Sequence, residues 1–240
     1  MRLPIFIAAA LLPAAAHAQL AAPVTLTAGD GVRIAGEYYR APHPKAVILL
    51  FHQAGSSKAE YRTIAPRLVA AGYSALAIDQ RAGGSLYGPN ETVARLGRSA
   101  DYLAARRDLD AALAWGTKQG APVILWGSSY SAAHVFLVAA AHPGEVKAVL
   151  AFSPGEYLGS TSVKAAAARI TVPLFVTSAS DRGEIAAARQ LADASPSRGK
   201  RDYVPAHGIH GASTLIAAKN PAGQGANWAA VLSFLKAAAP

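Results

Sequence analysis

Two spacings alternate along this chain. Short continuous apolar runs give way to longer stretches in which apolar residues recur every three or four positions. The run 46–51 (Ala-Val-Ile-Leu-Leu-Phe) is aliphatic throughout, as expected of a strand covered on both faces. Runs at 73–78, 123–126, 146–152 and 173–177 read the same way, and a short last strand is expected at 201–204. Near the start, strands at 24–28 and 32–39 flank Gly29-Asp30-Gly31, a hairpin signal. Helical spacing marks 59–71 through Ile64, Leu68 and Ala71, with Gly72 placed to end it. Further helices are predicted at 100–118 (Leu103, Leu109, Leu113), 132–141, 184–192 and 226–237. Strands alternating with helices predict the α/β class: a mostly parallel central sheet of about eight strands, helices on both faces and right-handed crossovers.

Composition narrows the class further. Of 240 residues, 52% are apolar and 15% charged, which excludes a disordered chain and suffices for a sizeable core. The net charge of +9 is scattered. Only Arg106-Arg107 and Lys200-Arg201 are adjacent basic pairs, so no nucleic-acid footprint is present and no nucleic-acid partner is expected. At the N-terminus, Arg2 precedes an apolar stretch from Leu3 to Leu12 and the small-x-small site Ala16-His17-Ala18. Residues 1–18 thus read as a secretory signal peptide and 19–240 as one domain, giving a periplasmic or secreted protein. The apolar stretch is short and interrupted by Pro4 and Pro13, so stable membrane insertion after cleavage is not expected. The chain has no cysteine, hence no disulfide and no thiol for catalysis or metal.

The chemistry concentrates where predicted strands end, because ligands of such sheets bind beyond the carboxyl ends of the strands. The apolar run 123–126 breaks at Gly127-Ser128-Ser129-Tyr130-Ser131, before the alanine-rich helix. Strand, small-residue turn and helix are the context of a G-x-S-x-G nucleophile elbow with Ser129 at its apex. Ser128 and Ser131 are off the apex. Asp181 follows the strand 173–177, and His210 lies beyond the last strand. A serine hydroxyl needs a base to take its proton, and the base needs an orienting carboxylate. Ser129, Asp181 and His210 supply these roles in the order nucleophile, acid, histidine. Asp181 also suits a helix N-cap, and Glu184 and Asp193 lie a turn or more further on. The oxyanion donors expected are the backbone N–H of Tyr130 and that of Ala54, with Gln53 as second choice.

These motifs resemble those of the α/β-hydrolases, near the dienelactone-hydrolase-like branch. The resemblance runs from about Val24 to Lys236 and is carried by five segments in family order. They are Phe51-His52-Gln53-Ala54-Gly55 (an H-G-x-type oxyanion loop), Asp79-Gln80-Arg81-Ala82-Gly83-Gly84 (a D-x-R-G-x-G-type loop), the elbow, Ser178-Ala179-Ser180-Asp181 and His210-Gly211. Ser131 and Gln53 stand where the family pattern has glycine, and well-known members of the branch use a cysteine nucleophile that this chain cannot supply.

His207 and His210 share one loop and both precede glycine. A helix-like segment follows Gly211, as it follows the family histidine, which favours His210. His52 is read as fixing the oxyanion loop, and Asp79 and Arg81 as shaping their own. The nearby histidines lack a third ligand at metal spacing, so neither metal nor cofactor is expected. Too few residues separate Phe152 from Pro173 for a large cap domain, which implies a shallow, open site. The loop 81–97 is a candidate cover, and Tyr87, Tyr130, Tyr157 and Leu158 are candidate walls. The resemblance implies hydrolysis of a small-molecule ester through an acyl-serine intermediate, with amide hydrolysis or ligand binding without catalysis as alternatives.

Overall fold

The computed structural model describes residues 21–240; the leader expected at 1–18 lies outside the described residues. In chain order the elements are β1 (Ala22–Thr27), β2 (Arg33–Tyr39), β3 (Val47–Phe51), α1 (Ala65–Ala70), β4 (Ser74–Ile78), α2 (Glu91–Leu96), α3 (Arg106–Gly116), β5 (Val123–Ser128), α4 (Tyr130–Ala141), β6 (Ala148–Phe152), α5 (Val163–Ala167), β7 (Leu174–Thr177), α6 (Arg182–Ala194), β8 (Lys200–Tyr203) and α7 (Gln224–Ala238). The eight strands form one sheet in the order β1-β2-β4-β3-β5-β6-β7-β8. β2 is antiparallel to β1 and β4, and every other pairing is parallel. The α/β-hydrolase fold expected from the motifs is the fold observed.

The continuous apolar strands are covered on both faces. Leu49, Leu125 and Val149 pack with Leu109 and Leu113 of α3, Val135 and Phe136 of α4 and Leu191 of α6. Their neighbours Ile48, Leu50, Trp126 and Leu150 face the other way, onto Leu68 of α1 and Trp228 and Val231 of α7. The side-chain period of two in a strand thus feeds two cores, and no residue of β3 to β7 has a solvent face to spare.

The helices depart from the expected boundaries for local reasons. The segment 59–71 divides into a 3-10 turn, Lys58–Tyr61, and α1, because Pro66 enters at the first turn, where its missing N–H is not needed. The segment 100–118 likewise begins with a 3-10 turn, Leu103–Ala105, before α3. Two short helices lie inside segments read as loops. In α2, the Asn90 side chain caps Val93 N–H and Gly97 ends the helix in the left-handed region. In α5, Ser162 caps Ala165 N–H. Five residues of α5 between β6 and β7 make no cap domain.

Two buried ion networks fasten the loops over the sheet edge. Lys58 meets Asp79 at 2.8 Å, with both side chains nearly inaccessible. Arg81 lies between Asp108, at 2.7 Å and fully buried, and the hairpin residue Asp30. Both acidic partners hold the Arg81 guanidinium firmly in its charged form.

The turn between β5 and α4 is tighter still. A Cβ on Gly127 would sit 2.3 Å from the Ser131 carbonyl oxygen and 2.6 Å from Ala132 Cα, both backbone atoms that cannot swing away. Gly127→Ala is therefore expected to cost about 3 kcal/mol or more. Thermal unfolding of the purified variant checks this, and an unchanged Tm contradicts it. Arg81→Met strands the buried Asp108 carboxylate and should cost about 3–5 kcal/mol. Because acid neutralises the stranded carboxylate, the loss measured at pH 8 should exceed that at pH 4; equal losses would contradict the ion-pair account.

Candidate active site

The site is built on the carboxyl ends of β3, β5, β6 and β7. Ser129 stands between β5 and α4 with φ 59° and ψ −123°, a region L-residues rarely enter. Its N–H donates to the Phe152 carbonyl at 2.8 Å, which fixes the bend to β6. The hydroxyl accordingly points out of the sheet edge, away from the helix.

His210 meets this hydroxyl. Its Nε2 lies 2.8 Å from Ser129 Oγ, and its Nδ1 lies 2.7 Å from Glu184 Oε1. The three groups form one continuous hydrogen-bond chain. The carboxylate facing His210 is Glu184, which corrects the expectation of Asp181. Asp181 is the exposed N-cap of α6, and its Oδ1 accepts Glu184 N–H at 3.0 Å. The cap carboxylate is bound to its own helix, and the histidine hydrogen-bonds Glu184 instead. Three residues on, the longer Glu184 side chain reaches it. The second Glu184 oxygen accepts Ala179 N–H at 3.0 Å, so both oxygens are held.

Electrostatics fit this arrangement. Burial works to raise the Glu184 pKa, but hydrogen bonds from His210, Ser153 and Ala179 N–H prevail and hold it at about 2. The hydrogen bond to Glu184 raises the His210 pKa, opposed by partial burial. The imidazole is thus oriented with Nδ1–H toward the carboxylate and Nε2 free to accept the serine proton. His207 contributes only its carbonyl, which accepts the side-chain amides of Asn220 and Asn227.

Two serines that sequence reasoning left without this role lock the histidine loop. Ser153 Oγ accepts Gly211 N–H at 2.9 Å, and Ser128 Oγ accepts Ala212 N–H at 2.9 Å. Gly211 has φ 68°, and a Cβ there would lie 2.5 Å from Ser128 Oγ. Ser153 itself has φ 52°. Ser180 then joins the acid loop to the histidine loop, accepting Gly208 N–H at 2.6 Å.

Opposite the serine lies the loop after β3. Gln53 N–H is committed to Glu60 Oε2 at 2.9 Å, so it cannot serve an oxyanion. The N–H groups of Ala54 and Tyr130, the expected donors, have no acceptor among the described residues. His52 accepts Gln80 N–H at Nε2 (3.0 Å) and donates from Nδ1 to the Gln53 carbonyl (2.8 Å). Burial lowers its pKa to about 4, which keeps it neutral and structural.

Ser131, in place of the family glycine, does more than stay small. Its Oγ donates to the His52 carbonyl at 2.6 Å and accepts from Gln80 at 2.8 Å, tying the elbow to the oxyanion loop. The loop 81–97 packs on that same loop, through Gly84 N–H to Ser56 O (2.7 Å) and Leu86 N–H to Gly55 O (3.0 Å). Among the expected walls, Tyr130 and Leu158 are buried, with Tyr130 O–H donating to Ala82 O at 2.7 Å. Tyr157 is 37% exposed and Tyr87 is half-buried, joined by its hydroxyl to Ser213. No group of metal-ligating side chains is found among the described residues.

The fold that carries this geometry has counterparts in known proteins. The family model for Serine aminopeptidase, S33 matches residues 42–187. No curated protein sequence matches the chain. Among solved structures, the chain is similar to the esterase Pf2001 of Pyrococcus furiosus (TM-score 0.68, 18% identity, covering 98% of this chain and 97% of that one). It is also similar to dienelactone hydrolase from Anabaena variabilis (TM-score 0.71, 19% identity, 92% and 98% covered). A thermostable carboxyl esterase from Bacillus coagulans superposes equally well (TM-score 0.71, 10% identity, 92% and 99% covered). With the family model spanning more than half of its length and the fold matching throughout, the chain belongs to the Serine aminopeptidase, S33 family of α/β-hydrolases.

Proposed function

We propose that the protein is a serine hydrolase that cleaves small-molecule esters through an acyl-serine intermediate. The observation that carries the reading is the unbroken hydrogen-bond chain from Ser129 Oγ through His210 to Glu184. As Ser129 Oγ attacks the ester carbonyl carbon, its proton passes to His210 Nε2. Glu184 stabilises the imidazolium that forms. The carbonyl oxygen gains negative charge, and Ala54 N–H and Tyr130 N–H donate to it. Collapse breaks the ester C–O bond, and His210 returns the proton to the leaving alcohol. Water, deprotonated by the same histidine, then frees the acid and restores Ser129.

Ester cleavage is favoured by the similarity to enzymes named as esterases. Amide cleavage is the second reading, favoured by the family description, which names an aminopeptidase. The two need the same residues and differ in how readily the leaving group departs. The leader pattern at 1–18 supports export to the periplasm or medium.

Purified protein should release nitrophenol from p-nitrophenyl butyrate faster than nitroaniline from an aminoacyl p-nitroanilide; the reverse order would favour the second reading. Ser129→Ala should lower kcat by about 10⁴ or more with folding intact. Glu184→Gln should lower it by about 10³–10⁴, since the imidazole loses its anionic partner. Asp181→Ala removes only a helix cap, costing about 1 kcal/mol of stability and little activity. A large kcat loss in Asp181→Ala with normal turnover in Glu184→Gln would reverse the assignment.

A further inference from the structure

Behind the oxyanion loop lies a carboxylate that the Ser129–His210–Glu184 chain does not use. Glu60, in the 3-10 turn Lys58–Tyr61, is 1% exposed. One oxygen accepts Gln53 N–H. The other, Oε1, is buried with no hydrogen-bond partner among the described residues. Among the described residues no lysine or arginine pairs with the group, although Lys58 lies two residues away and is taken by Asp79 and Glu91. An amide or hydroxyl could satisfy Gln53 N–H without placing an acid in this environment. Burying an ionisable carboxyl without a cation costs stability.

The groups facing Glu60 come from several elements. Gln53 N–H and Ser56 belong to the oxyanion loop, and the hydroxyls of Ser56 and Ser128 favour its ionised form. Tyr61 adjoins it, Tyr87 faces it from the loop 81–97 and Tyr130 from the start of α4. Burial raises the pKa of all three tyrosines, which are neutral. His210 alone among the facing groups can become a cation, and its protonated form is favoured by Glu184 first, then by Glu60 and Asp181.

We propose that Glu60 is a positioning residue for ester hydrolysis: ionised, it clamps the oxyanion loop through Gln53 N–H and adds a negative charge near His210 beyond those of Glu184 and Asp181. The clamp leaves Ala54 N–H as the free donor of that loop. The charge favours the imidazolium that forms as Ser129 attacks. The inference rests on the reading of Ser129 as an ester-cleaving nucleophile. Burial lifts Glu60 to about 7 despite the hydrogen bonds that oppose the shift. The charge-assisted clamp therefore weakens as pH falls below that value.

Two groups must then lose protons for full activity, Glu60 and His210. The logarithm of kcat/KM for p-nitrophenyl butyrate should fall on the acid side with a slope approaching about 2. Glu60→Gln keeps an acceptor for Gln53 N–H but removes the charge. Its acid limb should have a slope of about 1, with a midpoint at lower pH, since protonated His210 loses support. Its plateau kcat should be about tenfold lower with KM within about twofold, less than the loss of an oxyanion donor itself.

Stability supplies a readout independent of turnover. The folded pKa is raised from 4.5, so the contribution of Glu60 to stability is present below pH 4.5 and lost as pH rises through about 7. The Tm of Glu60→Gln relative to wild type should therefore increase across that window. An acid limb of slope about 1 in the wild type, or a profile and kcat unchanged in Glu60→Gln, overturns the proposal. The wild-type slope decides alone if the variant does not fold. Absence of ester turnover in the wild type would remove the nucleophile reading and this inference with it. Turnover that Ser129→Ala abolishes but Glu60→Gln leaves untouched would remove this inference only.

Discussion

The backbone bend at Ser129 is the constraint on which the rest of the site depends. A residue at φ 59° and ψ −123° carries strain of about 1–3 kcal/mol and persists only if its surroundings hold it. Here the hold is specific. Ser129 N–H is bound to Phe152 O, Gly127 lets the helix backbone come within contact distance, and Ser131 ties the first turn of α4 to the His52 carbonyl. Relaxing the bend would swing the hydroxyl away from His210 and tilt Tyr130 N–H out of the position where charge develops. The two cores enforce it from below, because β5 is buried along its whole length and cannot shift register.

Much of the architecture was legible in the sequence because both-face burial leaves a plain signature, the continuous apolar strand. The runs that became β3 to β7 were recognisable on that ground. The hairpin β1–β2 was legible from its turn. α2 and α5 were not legible from periodicity, since six and five residues cannot display a 3.6-residue period. Their caps, Asn90 and Ser162, were the available signal. Pro66 inside an otherwise helical pattern marked the division of 59–71.

Ser129 and His210, which sit at turns with glycine partners, were legible as candidates, and the structure brings their side chains together. The site was misread at the acid, for a physical reason. Asp181 and Glu184 form the spacing of a capping box, in which the first residue binds the helix N-terminus and the second is one turn along. Here only the aspartate half of the box forms: Asp181 Oδ1 accepts Glu184 N–H, while the Glu184 oxygens go to Ala179 N–H and His210 instead of back to the cap. Asp181 is the first carboxylate after β7, but nearness in sequence is not reach. The parts played by Ser128, Ser153 and Glu60 were hidden for another reason: each acts on a segment distant in sequence, and only the assembled sheet edge brings them together.

The electrostatic design surrounds the histidine with carboxylates of different character. Glu184 is held far below its usual value and is permanently charged at neutral pH, whereas buried Glu60 titrates near it. The proposed chemistry stands on Ser129 as an activated nucleophile. Mass mapping of peptides after treating the native protein with a fluorophosphonate tests it most directly. A single adduct on Ser129, absent after denaturation before labelling, is the predicted result. An unmodified native protein, or an adduct on Ser128 or Ser131 instead, would contradict it.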